Sequence, residues 1–145
     1  MSGNHIKTMQ YGKNVLSDMG FKQDKNTTIF IKNEVFCLSP SVQKNKSNYY
    51  WFDIREANIK KYNHSKYSNF IIIVRVKNKG YIFLNFKELK KILLYESKLE
   101  NSKFKVWSFK FYDDFSYIYN KKNNKLKIPI KLLTEFELKK LINQI

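Results

Sequence analysis

Two stretches constrain this chain more than any other: Tyr49-Tyr50-Trp51-Phe52-Asp53-Ile54-Arg55 and Phe70-Ile71-Ile72-Ile73-Val74-Arg75-Val76-Lys77. Five residues of the first are aromatic or β-branched, side chains that favour pleated, half-buried backbone. Asp53 and Arg55 stand two apart near its end and leave a strand on the same face. The second stretch is apolar at odd and even positions alike, so both of its faces need cover, which predicts a central strand. Between them, residues 56–62 are rich in helix formers. Strand, helix and strand make the minimum unit of a parallel pair, so the two stretches are expected to pair directly and to scaffold the rest.

The remaining chain supplies elements around that unit. Ile6, Met9, Lys13, Leu16 and Met19 fall near one helical face, predicting a short helix over 5–19 closed by Gly20. Residues 27–31 and 34–38 read as strands around a turn at Lys32-Asn33. Residues 39–48 have loop chemistry and carry Lys44 and Lys46. Asn78-Lys79-Gly80 turns the chain from 70–77 into a partner strand at 81–84, and Asn85 caps a helix running to about residue 95. Strands are predicted at 104–112 and 115–119, joined by Asp113-Asp114, with a turn at 121–125 and a short strand ended by Pro129. Thr134 and Glu137 form a capping box that opens a last helix, with Phe136, Leu138, Leu141 and Ile142 as its apolar residues. The fold class is α+β, with one domain over 1–145 and a mixed sheet of about six to eight strands with three to four helices.

Charge points to the partner. Twenty-eight basic residues against twelve acidic give a net +16, and only Arg55 and Arg75 are arginines. A codon bias that inflates Lys and Asn would inflate Glu as well, so the scarcity of acids marks a surface built to attract polyanions. Nucleic acid is the expected partner, DNA ahead of RNA, and an acidic protein partner is the alternative. The apolar run 70–74 is too short to span a bilayer, so no membrane is expected, and the lack of an apolar signal-peptide core makes the cytoplasm the expected location. A single cysteine, Cys37, excludes an internal disulfide and a cysteine metal cluster. His5 and His64 have no acid or cysteine at ligand spacing, and four unclustered glycines exclude a phosphate-cradling loop.

The densest binding pattern lies between Lys103 and Lys131, where lysines alternate with rings. Strand periodicity places Lys103, Lys105, Trp107 and Phe109 on one face, setting cations beside rings. Lys121, Lys122, Lys125 and Lys127 form a basic hairpin tip that suits phosphates. With Lys44, Lys46, Arg55 and Arg75 these are the candidate nucleic-acid contacts. An arginine kept in so lysine-biased a chain suggests a planar, bidentate partner: a phosphate, a guanine edge or a carboxylate. For Arg55 the near carboxylate of Asp53 is the favoured partner, and for Arg75 a phosphate or base.

The order helix, strand, strand, strand, helix, strand over residues 5–77 resembles the core of the restriction-endonuclease-like, PD-(D/E)xK, superfamily. Asp53-Ile54-Arg55 stands where (D/E)-x-K would be, and Glu34 precedes Asp53 at a compatible spacing. The resemblance implies a restriction-endonuclease-like core in the first half and, in its active form, a Mg-dependent endonuclease. Glu34 and Asp53 would hold Mg²⁺, with Arg55 in place of the lysine that steadies the attacking water. A guanidinium does not release a proton near neutral pH, so the expected protein binds without cutting and needs no cofactor. The sequence is thus read as a non-catalytic nucleic-acid-binding protein, with a restriction or mobile-element context by analogy. A metal-dependent nuclease, and an inhibitor or accessory protein docking on an acidic partner, are the alternatives.

Overall fold

The computed structural model describes residues 8–93, the backbone of 99–100, and residues 105–145. The chain is α+β. Its helices are α1 (Lys13–Asp18), α2 (Glu56–Ile59), α3 (Phe86–Lys90) and α4 (Glu135–Ile142). Its strands are β1 (Lys22–Gln23), β2 (Ile29–Lys32), β3 (Val35–Leu38), β4 (Ser41–Val42), β5 (Tyr50–Arg55), β6 (Asn69–Val76), β7 (Gly80–Asn85), β8 (Leu99–Glu100), β9 (Lys105–Phe111), β10 (Tyr117–Asn120) and β11 (Asn123–Pro129).

These strands form two sheets where one was expected. The first is ordered β1-β2-β3-β6-β4, with β7 on the other edge of β6; the second is ordered β11-β10-β9-β5, with β8 also on β9. The strand β6 is central, as its two-sided apolar pattern requires, and every one of its residues after Asn69 is buried. Its parallel partners, however, are β3 and β4, which follow one another along the same edge. Between those two strands the Ser39 hydroxyl donates to the carbonyl of Ile73 at 2.7 Å, and the Arg75 N–H donates to the carbonyl of Pro40 at 2.9 Å.

The expected β5–β6 parallel pair does not exist, because β5 pairs antiparallel with β9 in the second sheet. The reason lies in its parity. Tyr50, Phe52 and Ile54 are buried while Trp51, Asp53 and Arg55 are exposed. A neighbour of β6 is covered on both faces, and a strand with Asp53 and Arg55 on one face suits the edge of a one-sided sheet instead.

The two sheets pack face to face over the main core. Ile29, Phe36, Leu38, Phe70, Ile72 and Val74 of the first meet Tyr50, Phe52, Trp107, Phe109, Phe111 and Ile118 of the second. The other face of the first sheet, with Phe30, Cys37, Ile71 and Ile73, packs against Leu16, Met19, Leu138 and Ile142 from α1 and α4. The layers therefore run helices, first sheet, second sheet; the outward face of the second sheet meets solvent around Trp51, Lys110, Tyr112 and Lys127, while Val106 and Ser108 on the same face are buried.

Local signals hold closely. Gly20 has φ 97° and its N–H donates to Ser17 at 2.9 Å, while Phe21 N–H reaches Leu16 at 3.0 Å. That is a Schellman closure, with Leu16 and Phe21 in one cluster. The helix predicted over 5–19 is divided: residues 8–10 are helical, Gly12 at φ 78° precedes α1, and residues 5–7 lie outside the described residues. Pairing of Lys32 with Val35 puts Asn33 and Glu34 in the first hairpin turn, one residue later than expected. The Asn85 side chain caps α3, whose predicted continuation to 95 lies partly outside the described residues. The capping box of α4 is complete, Thr134 N–H to Glu137 at 3.0 Å and Glu137 N–H to Thr134 Oγ1 at 3.1 Å. Phe136, expected on the apolar side, is 75% exposed, since it stands about 200° around the helix from Leu138. No helix among the described residues is long and apolar enough to cross a membrane.

Candidate nucleic-acid interface

The outward face of the second sheet is built by register. Trp51 lies opposite Lys110, Lys110 opposite Tyr119, and Tyr119 opposite Lys127. Directly opposed residues share a face, so these four make one row from β5 to β11 in the order ring, ammonium, ring, ammonium. Three inter-strand steps give the row a span of about 14 Å.

Further rings widen the row into a patch. Tyr112 lies edge-on to Tyr49 at 6.3 Å and to Tyr119 at 5.9 Å, and Tyr117 is 6.1 Å from Tyr119. Lysine ammoniums sit over these rings: Lys121 Nζ is 4.7 Å from the Trp51 centroid, Lys127 Nζ 4.4 Å from Tyr117, and Lys110 Nζ 5.7 Å from Tyr49. Each such contact is worth about 0.5–1 kcal/mol at an exposed site, enough to hold a lysine beside a ring without removing it from water. Lys110, Lys121 and Lys127 form no ion pair among the described residues.

The acids nearby are engaged internally. Asp53 accepts a hydrogen bond from the Ser108 hydroxyl on β9. Asp113 is paired with Lys44 and also accepts the Tyr50 phenol at 2.9 Å. Hydrogen bonds from Lys44 and then Tyr50 hold the Asp113 carboxyl below the usual carboxylate range. Burial, and then the Asp113 carboxylate, push the Tyr50 phenol up to about 12. Neither of these two carboxylates is paired with Lys110, Lys121 or Lys127 among the described residues.

Trp107 does not belong to this face. It is 4% exposed and packs in the main core, because odd positions of β9 carry Trp107, Phe109 and Phe111, and that trio of rings takes the inside. The interleaving of rings and cations is real but sits on the opposite parity, Lys110 and Tyr112. Lys105 is exposed at the strand start opposite Glu100, and Lys103 lies outside the described residues. Lys122 and Lys125 are exposed beside the β10–β11 turn, and Lys46 is exposed in the 45–48 turn. Arg55 is exposed on the same face as Trp51, opposite Val106.

Arg75 is not a surface contact either. It is 3% exposed, and its guanidinium donates to Ser39 Oγ at 3.0 Å, the Ser39 carbonyl at 2.8 Å, the Met9 carbonyl at 2.9 Å and the Tyr11 carbonyl at 2.8 Å. Burial lowers its pKa to about 10. The planar fork has its partners, but they are backbone carbonyls and a hydroxyl inside the fold.

Glu34 and Asp53 do not form a metal centre. Glu34 sits in the β2–β3 turn, its carbonyl accepting Ser68 and Asn69 N–H, whereas Asp53 is on the other sheet and lines a different depression. The two carboxylates expected to hold Mg²⁺ together are thus on different sheets, and among the described residues no three His, Cys, Asp or Glu side chains are grouped as metal ligands. Comparison with protein-family models, curated proteins and solved structures gives no match for this chain.

Sequence reasoning placed Lys110, Tyr112, Tyr117 and Tyr119 inside the Lys103–Lys131 pattern without choosing them as contacts, and it missed Tyr49 and Trp51. The alternation of Trp51, Asp53 and Arg55 against Tyr50, Phe52 and Ile54 was the signal for Trp51.

Proposed function

We propose that the chain binds single-stranded nucleic acid, DNA ahead of RNA, across the outward face of its second sheet, and that it binds rather than cuts. The observation that carries this reading is the row Trp51, Lys110, Tyr119 and Lys127. Rings on an open sheet can stack only on bases whose faces are free, and bases in a duplex hide theirs in the stack. Ammoniums between the rings meet the phosphates that link stacked bases. Lys121 adds its ammonium at the Trp51 end of the row, and Lys122 and Lys125 add exposed positive charge beside the β10–β11 turn. Separation of Glu34 from Asp53 favours binding over metal-dependent cleavage.

The test is titration of the protein with oligothymidylate, oligouridylate and duplex DNA, read by tryptophan fluorescence. Trp51 is the exposed tryptophan and Trp107 the buried one, so single strands should quench the emission while Trp107 stays silent. Affinity should fall with salt at a slope of about −2 to −3, since each phosphate neutralised on a single strand contributes about −0.7. Tighter binding to duplex than to single strand, or no binding at low salt, overturns the reading.

A further inference from the structure

At its β5 end the row meets a cleft of about 520 Å³ between the two sheets and the N-terminal segment. Trp51 belongs to both, its residue lining the cleft as well as ending the row. The volume is that of a small-molecule site.

The cleft is electrostatically unbalanced. Arg75 contributes to its wall, buried and positively charged, with only neutral oxygens as acceptors. Four of its five guanidinium N–H groups are taken in this way, and no carboxylate pairs with it among the described residues. Lys13, half-buried on the same wall, has no ion pair among the described residues. Lys44 stands at the margin, shared with Asp113. The single carboxylate in the wall is Asp53, already engaged by Ser108. A buried cation without a counterion is expensive to hold, and a phosphate delivered into the cleft would complete it.

We infer that this cleft takes a terminal nucleotide of the bound strand through its phosphomonoester, with Arg75 and Lys13 as the cationic wall and Trp51 as the ring beside the base. This rests on the single-strand reading of the sheet face, and it adds recognition of an end to binding along the length.

The experiment compares one oligothymidylate sequence with a 5′-phosphate, a 3′-phosphate and hydroxyl ends, together with free thymidine 5′-monophosphate. One of the phosphorylated strands should bind about tenfold tighter than the hydroxyl-ended strand, the size of a hydrogen bond to a charged group. Lys13→Ala, whose fold is checked by its melting temperature, should abolish that advantage and leave the hydroxyl-ended affinity unchanged. Arg75 variants would disturb internal hydrogen bonds, so Lys13 is the informative position. Free nucleotide should compete with the phosphorylated strand and reduce its advantage. Equal affinity for all three strands, with binding that still needs Trp51, overturns the end-recognition inference and leaves the sheet-face reading standing. A free nucleotide that binds without competing also overturns it. Failure of every strand and of the nucleotide to bind overturns both.

Discussion

Trp51 and Trp107 lie on neighbouring strands of one sheet and have opposite surroundings. Trp107 shares its face with Phe109 and Phe111, and across the pair with Tyr50, Phe52 and Ile54; there rings pack on rings, Tyr50 on Phe111 at 4.9 Å and Phe52 on Phe109 at 5.4 Å. Trp51 shares its face with Lys110, Tyr119 and Lys127, and its nearest cation, Lys121, is 4.7 Å from its ring. An aromatic residue in this sheet is therefore core or surface according to the parity of its strand. The inward rings hold two sheets together, and the outward rings lie beside lysine ammoniums at the surface.

The hardest test of that contrast is truncation of one ring on each face. Phe109→Ala should lower stability by about 3–5 kcal/mol in urea unfolding, as expected for a ring with no exposed surface. Trp51→Ala should stay within about 1 kcal/mol of the parent. Similar losses would show that the two faces are equally structural.

Arg75 sharpens the contrast from the first sheet, where charge is inside. Arg75→Lys keeps the charge and loses the fork that joins Met9, Tyr11 and Ser39, and should lower stability by about 2–3 kcal/mol. A melting temperature equal to the parent's would mean that the clamp contributes nothing.

On binding, the order of the tryptophans reverses. Trp51→Ala should weaken binding to oligothymidylate by about 1–3 kcal/mol, the usual value of one stacked base, while Trp107→Phe should leave it unchanged. An effect of Trp107→Phe as large as that of Trp51→Ala would place the interface elsewhere.

Tyr50 joins the two faces through its bond to Asp113, and it predicts an alkaline limit. Its folded pKa of about 12 lies above the ordinary phenol value near 10. Its contribution is therefore complete below about pH 10 and is lost as pH rises towards 12. Tyr50→Phe should flatten that part of the stability profile, leaving a residual slope from Cys37 and Tyr81, whose pKa values burial also raises. An unchanged profile would remove Tyr50 from the account.

The smallest expected effect separates cations by position. Lys127→Ala should make the salt slope shallower by about 0.7, the share of one phosphate on a single strand, whereas Lys140→Ala on α4 should leave it alone. Equal changes would mean that the charge acts as a diffuse cloud and the row has no special role.

Local chemistry was legible in the sequence. The β6 run announced a central strand, and Gly20, Asn85 and Thr134–Glu137 marked helix ends. The hairpin turns fell near 78–80 and 121–125, but Gly80 opens β7 and Asn123, Asn124 and Lys125 join β11, leaving Lys121-Lys122 as the second turn. These signals depend on neighbours within a few positions, which the sequence gives directly. The excess of lysine was equally plain, and it stands as the reason to look for a polyanion.

Partnership between distant strands was not legible. Backbone ladders are chemically alike, so nothing local told β5 to leave β6 and pair with β9 across fifty residues of chain. The same holds for the faces. By itself the sequence determined that β9 would have two unlike faces, since side chains alternate along any strand. Which one turned outward was decided when three odd-numbered rings found the opposing sheet, carrying Trp107 inside and leaving Lys110 and Tyr112 to water. Arg75 went inside for a related reason: the β3–β4 connection and the N-terminal segment close around it, and the carbonyls of Ser39, Met9 and Tyr11 supply the acceptors that water would have given.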